Sequence, residues 1–420
     1  MHDFIFRDNE LHCENVPVSR IARKVGTPFY LYSRHTLVDH LTKIQKAFAP
    51  VKPLVCFAMK ANGNLAVVKT LLKGGAGVDI VSGGELKKAL FLKTDPKKIV
   101  FASVGKTEDE IASAIKAGIL LFNVESLPEL EEINRVAKKL KKRTQVALRV
   151  NPDVEAPTHQ FITTGSLKNK FGIDLSTAEK IFESQKEFPY VRINGLHIHI
   201  GSQLVSKEPF LNALSKVLEF IERLKTRGVR LEYLDIGGGL GIIYKDEQPQ
   251  TAQEYATAVL PLLMRTGLKI IMEPGRFIVG NAGIFVTQVL FIKDNGFKKF
   301  VIVDGGMNDL IRPSLYHAYH EVVPLVRKED AKKFRVDVVG PVCESGDFFA
   351  KDRDIPIVEK GEFLAVMSAG AYGYAMSSNY NARPRVPEVM VKGNKFAVVK
   401  ERETFADLVR GEKIPEFLRR

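Results

Sequence analysis

From about residue 36 to residue 282 the chain alternates short apolar runs with longer segments whose apolar residues recur at helical spacing, the pattern of parallel strands joined by crossover helices. The runs are LVCFAMK from 54, AGVDIVS from 76, IVFASV from 99, LLFNVE from 120, QVALRV from 145, INGLHIHIG from 193, LEYLDIGGG from 231 and KIIMEPG from 269. Eight such runs predict a closed eight-stranded parallel (β/α)8 TIM-like barrel, an α/β fold. Helix starts are marked by a hydroxyl followed three residues later by glutamate, a pairing in which each side chain satisfies a backbone donor of the first turn. Thr107 with Glu110, Ser126 with Glu129, Ser176 with Glu179 and Thr251 with Glu254 are the expected capping boxes.

After residue 282 the helical period gives way to strand-like runs, FVTQVLFI, KFVIVDGG, FRVDVVG and EFLAVMSAG, so a C-terminal β-rich domain is expected over 283–420. EVMVKGNKFAVVK reads as a hairpin turning at Gly393-Asn394, and the opening FIFRDNELHCE as one turning at Asp8-Asn9. Neither hairpin can bury its apolar face alone, so residues 1–35 are expected to pack with the C-terminal domain, leaving 36–282 as the barrel.

Length and composition then narrow the class. At roughly 150 residues per domain, 420 residues allow two or three domains, and 45% hydrophobic with 26% charged residues is the balance of a globular protein. The net charge of +13 comes from scattered lysine doublets and one run, Lys138 to Arg143, at the end of an amphipathic segment, where cations complement a helix C-terminus. No nucleic-acid module accompanies them, so neither nucleic acid nor membrane is an expected partner. The longest apolar run, Gly283 to Ile292, is strand-sized. Three widely spaced cysteines, Cys13, Cys56 and Cys343, argue against a disulfide framework and for a cytoplasmic location.

In a barrel, chemistry belongs at the C-terminal ends of the strands. Lys60 ends the first run, either as a salt-bridging surface residue or as an amine whose apolar approach readies it to form an imine. His197 and His199 alternate on the sixth strand; without evident further ligands a metal site is not expected, and the pair reads either as one histidine stacking on a ring ligand with the other buried or as two satisfied core histidines. Gly237-Gly238-Gly239 bares backbone amides at a strand end, as a phosphate needs and as a plain turn also would. Glu273-Pro274-Gly275-Arg276 adds a carboxylate, more bare backbone and a guanidinium. An amine, a phosphate cradle, an imidazole and a carboxylate at four strand ends are the equipment that pyridoxal phosphate demands.

With FAMKAN, HIHIGSQ, GGGLG, EPGR, DGGMNDLIRPSLY, GPVCESGD and GAYGYAMSSNYN, the chain resembles the fold-type III pyridoxal-phosphate decarboxylases, and among them the diaminopimelate decarboxylase family, along nearly its whole length. The resemblance implies a barrel plus a β domain containing both chain ends, and pyridoxal 5'-phosphate as cofactor. It makes Lys60 the imine-forming lysine, Glu273 the partner of the pyridine nitrogen and His199 the stacking ring, with Ser202, Gly238, Gly239, Gly275 and Arg276 at the phosphate. For the substrate it implies Arg276, Arg312 and Tyr316 at a carboxylate, Glu344 at an ammonium, and Tyr372 near both cofactor and substrate. Cys343 matches the family's proton donor, and with Glu344 it implies a homodimer with shared active sites. The expected reaction is decarboxylation of meso-2,6-diaminopimelate to L-lysine. A decarboxylase of another diamino or polyamine acid, a racemase and a non-catalytic homologue are the alternatives; a substrate with only a distal amine would leave the arginine charge unpaired, and a carboxylate at the ring nitrogen speaks against the racemase.

Overall fold

The computed structural model describes residues 2–154, 170–329 and 332–419. The chain divides into two compact units, Leu37–Gly280 and a second made of Met1–Thr36 with Asn281–Arg420.

In Leu37–Gly280 eight parallel strands close on themselves: β1 Leu54–Ala58, β2 Gly77–Ile80, β3 Ile99–Phe101, β4 Leu121–Val124, β5 Thr144–Asn151, β6 Val191–His197, β7 Tyr233–Asp235 and β8 Lys269–Met272. Closure follows from the register, since β8 pairs with β1 through Ile271 with Leu54 while β4 pairs with β5 through Phe122 with Val146. All eight apolar runs thus become barrel strands. Inside, Cys56, Val100, Leu121, Ala147, Tyr233 and Ile271 form an apolar layer. Further along the strands Asp79, Asn123, Arg149, His197, Asp235 and Glu273 are buried together with no apolar substitute for hydration. Buried polar groups are costly without partners, and Asp79, Asn123, Arg149, Asp235 and Glu273 all enter hydrogen bonds there.

The helix starts follow the sequence with two exceptions. Thr107 with Glu110 and Thr251 with Glu254 form complete capping boxes. Ser126 caps its helix, Leu127–Lys139, but Glu129 turns to the backbone of Glu125 and to Lys106, so that box is half made. Ser176 is not a cap at all. Asp174 takes the position, accepting from the Thr177 backbone and from the Ser176 hydroxyl, because an ionised carboxylate is the stronger acceptor for orphan donors at a helix start.

The second unit is β-rich. Its long strand, Gly283–Asp294, pairs antiparallel with Phe29–Ser33, Lys299–Val303 and Phe363–Val366. Lys299–Val303 pairs in turn with Lys333–Val339, so the four strand-like runs of the sequence are all strands. Both hairpins form: Phe4–Arg7 with Glu10–Cys13 and Glu388–Lys392 with Lys395–Lys400. Their apolar faces share one core with the long strand, Phe4, Leu11 and Cys13 packing with Ile284, Val286, Val389 and Val391. No helix among the described residues is long and apolar enough to cross a membrane.

Candidate active site

Lys60 lies in a single 3-10 turn directly after β1. The apolar approach read from the sequence holds along β1 itself, but register sets Ala58 level with Asp79 of β2, and the Lys60 Nζ donates to Asp79 Oδ2 at 2.8 Å. Burial and the nearby Glu273 charge push the Asp79 carboxyl up to about 7, the Lys60 ammonium opposing them. Glu273 follows β8 and is 4% exposed. Burial alone would raise its carboxyl; His197, whose Nε2 lies 3.4 Å away, and Lys60 outweigh that and hold it below the usual range. Asp235 moves the other way: burial and the Glu273 charge hold it well above the usual range, so it stays protonated and donates to Glu273. The Asn123 amide binds both, donating to Asp235 at 3.0 Å and to Glu273 at 2.9 Å.

His199 stands two residues beyond β6, and its Nδ1 accepts from the Gly238 N–H at 3.3 Å. Burial, with Arg149 and Lys60 as cationic neighbours, holds it below its usual range, which keeps the ring neutral. The loops after β6 and β7 are zipped together, Leu204 N–H donating to Gly239 O at 2.8 Å and Gly241 N–H to Leu204 O at 3.1 Å. Only glycine fits there: a Cβ on Gly238 would sit 2.4 Å from the Glu273 carbonyl oxygen, and Gly239 holds φ at +114°. The N–H groups of Gly239 and Gly275 have no partner among the described residues. Arg276 is buried, its Nη2 and Nη1 donating to Ser202 Oγ at 3.1 Å and to Tyr244 Oη at 2.7 Å. Lys60, His199, Ser202, Gly238, Gly239, Glu273, Gly275 and Arg276 therefore all belong to the C-terminal ends of barrel strands.

The sequence profile described as "Pyridoxal-dependent decarboxylase, pyridoxal binding domain" matches residues 34–280. The diaminopimelate decarboxylase of Aquifex aeolicus is 49% identical over 405 residues, covering 96% of each chain. The chain belongs to the diaminopimelate decarboxylase family. Among solved members, the M. jannaschii diaminopimelate decarboxylase in complex with L-lysine has a TM-score of 0.95 at 38% identity, covering 100% of both chains. The Helicobacter pylori diaminopimelate decarboxylase, also complexed with L-lysine, gives 0.90 at 41% identity, covering 94% of this chain and 98% of that one.

The barrel residues fit the pyridoxal group that this family's name implies. A buried carboxylate held ionised suits a protonated ring nitrogen, a neutral imidazole suits a ring face, and a loop whose backbone a Cβ would obstruct, with amides unspent, suits a phosphate.

The remaining diaminopimelate decarboxylase candidates lie in the second unit. Arg312 begins the short helix Arg312–Tyr316 and is buried; Tyr316 ends it, half-buried. Tyr372 has φ +56°, a conformation a bulky residue keeps only where its surroundings impose it. Cys343 and Glu344 are exposed on a loop pinned by buried Asp347, whose carboxylate accepts from Met307 N–H and Val342 N–H at 2.6 Å each. The Cys343 N–H itself donates to Asn381 Oδ1 at 2.8 Å.

Sequence reasoning missed Asp79, Asn123, Asp235 and Tyr244. Further ligand-type groups do lie beside His197: donor atoms of His197, Asp235 and Glu273 are within 4.8 Å of one another. The Asn123 N–H groups point at both carboxylates, however, and the cluster reads as a hydrogen-bonded acid pair.

Asp79 carries a pH signature. Its folded value near 7 exceeds the unfolded value near 3.8, so the folded state binds the extra proton between them. Its contribution to stability is therefore full at acid pH and lost as pH rises toward 7. In the cofactor-free chain the loss from pH 5 to pH 7.5 is expected to be on the order of 2 kcal/mol. Asp79→Asn should flatten that segment of the urea-midpoint profile; a variant profile parallel to the parent's would refute the assignment.

Proposed function

We propose that the chain decarboxylates meso-2,6-diaminopimelate to L-lysine with pyridoxal 5'-phosphate. The observation that carries this reading is the ionised, buried Glu273 set among Lys60, His199 and the glycine loop, in a chain 49% identical to a diaminopimelate decarboxylase. When bound, the cofactor supplies an electron sink for the pair left behind by departing carbon dioxide.

The chain's residues do the rest. Lys60 would hold the cofactor through its amine. Glu273 would favour a proton on the ring nitrogen, because an anion in a dry site favours the protonated neighbour. His199 would face the ring, and Ser202, Gly238, Gly239, Gly275 and Arg276 would hold the phosphate, with Arg276 lying against Ser202. Arg276 faces the substrate carboxylate as well in the family's pattern. Arg312 and Tyr316 take the distal carboxylate and Glu344 the distal ammonium, while Tyr372 touches cofactor and substrate. A diamino diacid keeps an amino-acid head at the end that does not react, and a cation with an anion there rejects ornithine or lysine, which bring no distal carboxylate for Arg312. Cys343 returns a proton to the reacting carbon, reaching it from the second subunit of a homodimer. We place this chemistry in the cytoplasm, where the thiol stays reduced.

Two measurements test the reading. Carbon dioxide release should be seen with meso-2,6-diaminopimelate and fall to background with ornithine, lysine and arginine. Borohydride treatment of the cofactor-loaded enzyme should fix the cofactor irreversibly on the peptide containing Lys60. Fixation on another lysine would sink the cofactor assignment, and equal turnover of ornithine the substrate assignment.

A further inference from the structure

The Arg312 guanidinium is buried, and something must aim it. Its Nη1 lies 2.9 Å from Nε2 of His320, eight residues further on and fully buried. The other imidazole nitrogen, Nδ1, lies 2.7 Å from the carbonyl oxygen of Met367. These two contacts determine the proton. A carbonyl only accepts, so Nδ1 carries hydrogen; a guanidinium only donates, so Nε2 must offer its lone pair. A second proton on the ring would face an N–H of Arg312 with a like charge, so the arrangement exists only with neutral histidine.

The surrounding backbone makes His320 a fixed post. Strand Val322–Pro324 pairs antiparallel with Phe363–Val366, Val322 opposite Val366, and the Met367 N–H donates to Glu321 O at 2.8 Å. That pairing sets His320 against the end of the neighbouring strand. The Arg353 Nη1 donates to the His320 carbonyl oxygen at 2.9 Å, while its guanidinium lies 3.9 Å from the Tyr319 ring centroid. Ring and backbone are thus anchored independently of Arg312. The chain runs from a strand-end carbonyl through an imidazole of one tautomer to a guanidinium, the way outer-shell partners orient a binding group.

We propose that His320 is a positioning residue for substrate selection: it fixes the Arg312 guanidinium in the orientation that grips the distal carboxylate of a diamino diacid. The proposal rests on the reading of Arg312 as that carboxylate's partner and adds what holds it in place.

The test separates positioning from mere packing by which ring nitrogen each variant replaces. His320→Asn keeps a donor for the Met367 carbonyl but does not reach Arg312. His320→Gln puts an acceptor within reach of Arg312. With cofactor-loaded enzyme, His320→Asn should raise KM for meso-2,6-diaminopimelate about tenfold or more while kcat stays within about threefold, and His320→Gln should recover most of that KM. The inhibition constant of L-lysine, which carries the same amino-acid head, should move in parallel with KM. Arg312→Ala is measured alongside. If it raises KM and His320→Asn does not, the positioning role is overturned while Arg312 keeps its own. If Arg312→Ala leaves KM unchanged, the carboxylate reading fails and takes the proposal with it. Asn and Gln variants that lose kcat and thermal stability equally would mark His320 as packing and likewise overturn it.

Discussion

Glu273→Gln is expected to lower kcat for diaminopimelate by about a thousandfold, about 4 kcal/mol of barrier, with the cofactor still bound. Glutamine keeps the shape of the side chain and still accepts the Asn123 hydrogen bond of 2.9 Å, so the barrel interior loses little. What it removes is the charge. Glu273 remains ionised in a site 4% exposed only because His197 and Lys60 favour the anion and Asp235 donates to it. Three neighbours have been arranged around one negative charge, an arrangement that costs desolvation and is explicable if the charge has a cation to face. A neutral amide cannot keep the ring nitrogen protonated, and an unprotonated ring is a poor electron sink. Cofactor content, read from visible absorbance, and steady-state kcat are measured together. Full cofactor occupancy with a kcat within tenfold of the parent would show that the charge has no catalytic role, and the proposed function would lose its central observation.

How far the sequence reaches is visible in the same residues. Lys60, Gly238 and Glu273 were legible because each breaks an apolar run at the point where a strand must end, and a barrel puts every strand end at one mouth. The partners of these residues were not. Asp79 in GVDI, Asn123 in LFNV and Asp235 in YLD each lie inside a barrel strand, and only the register of neighbouring strands shows which of them meet. One signal was available: a polar residue late in a run buried on both faces must point into the barrel, and β2, β4, β5, β6 and β7 each carry one, Asp79, Asn123, Arg149, His197 and Asp235. The Asp174 cap was hidden for a different reason, since Ser176 with Glu179 satisfies the same spacing rule and the choice between them depends on where the helix begins. The His320 contact to Arg312 depends on pairing between Val322–Pro324 and Phe363–Val366, which no local pattern encodes.

Mixing two inactive variants should restore activity. Cys343 and Glu344 are exposed in the single chain, on a loop whose backbone is nevertheless fixed by the buried Asp347 carboxylate. An exposed thiol beside an exposed carboxylate is a poor place to bury a hydrophobe, but a rigid loop is a good way to present both to a neighbouring subunit. If each site takes Lys60 from one subunit and Cys343 from the other, Lys60→Ala and Cys343→Ala homodimers are each inactive at both sites. A mixed dimer pairs the intact Lys60 of one chain with the intact Cys343 of the other at one site and collects both defects at the second. Equal mixing with free exchange gives mixed dimers as half the population, so about one quarter of all sites should work, and about half in purified mixed dimers. The measurement is carbon dioxide release before and after exchange, with exchange verified by differently tagged chains. Verified mixed dimers that remain as inactive as their parents would remove the shared-site arrangement and leave Cys343 to act within its own chain.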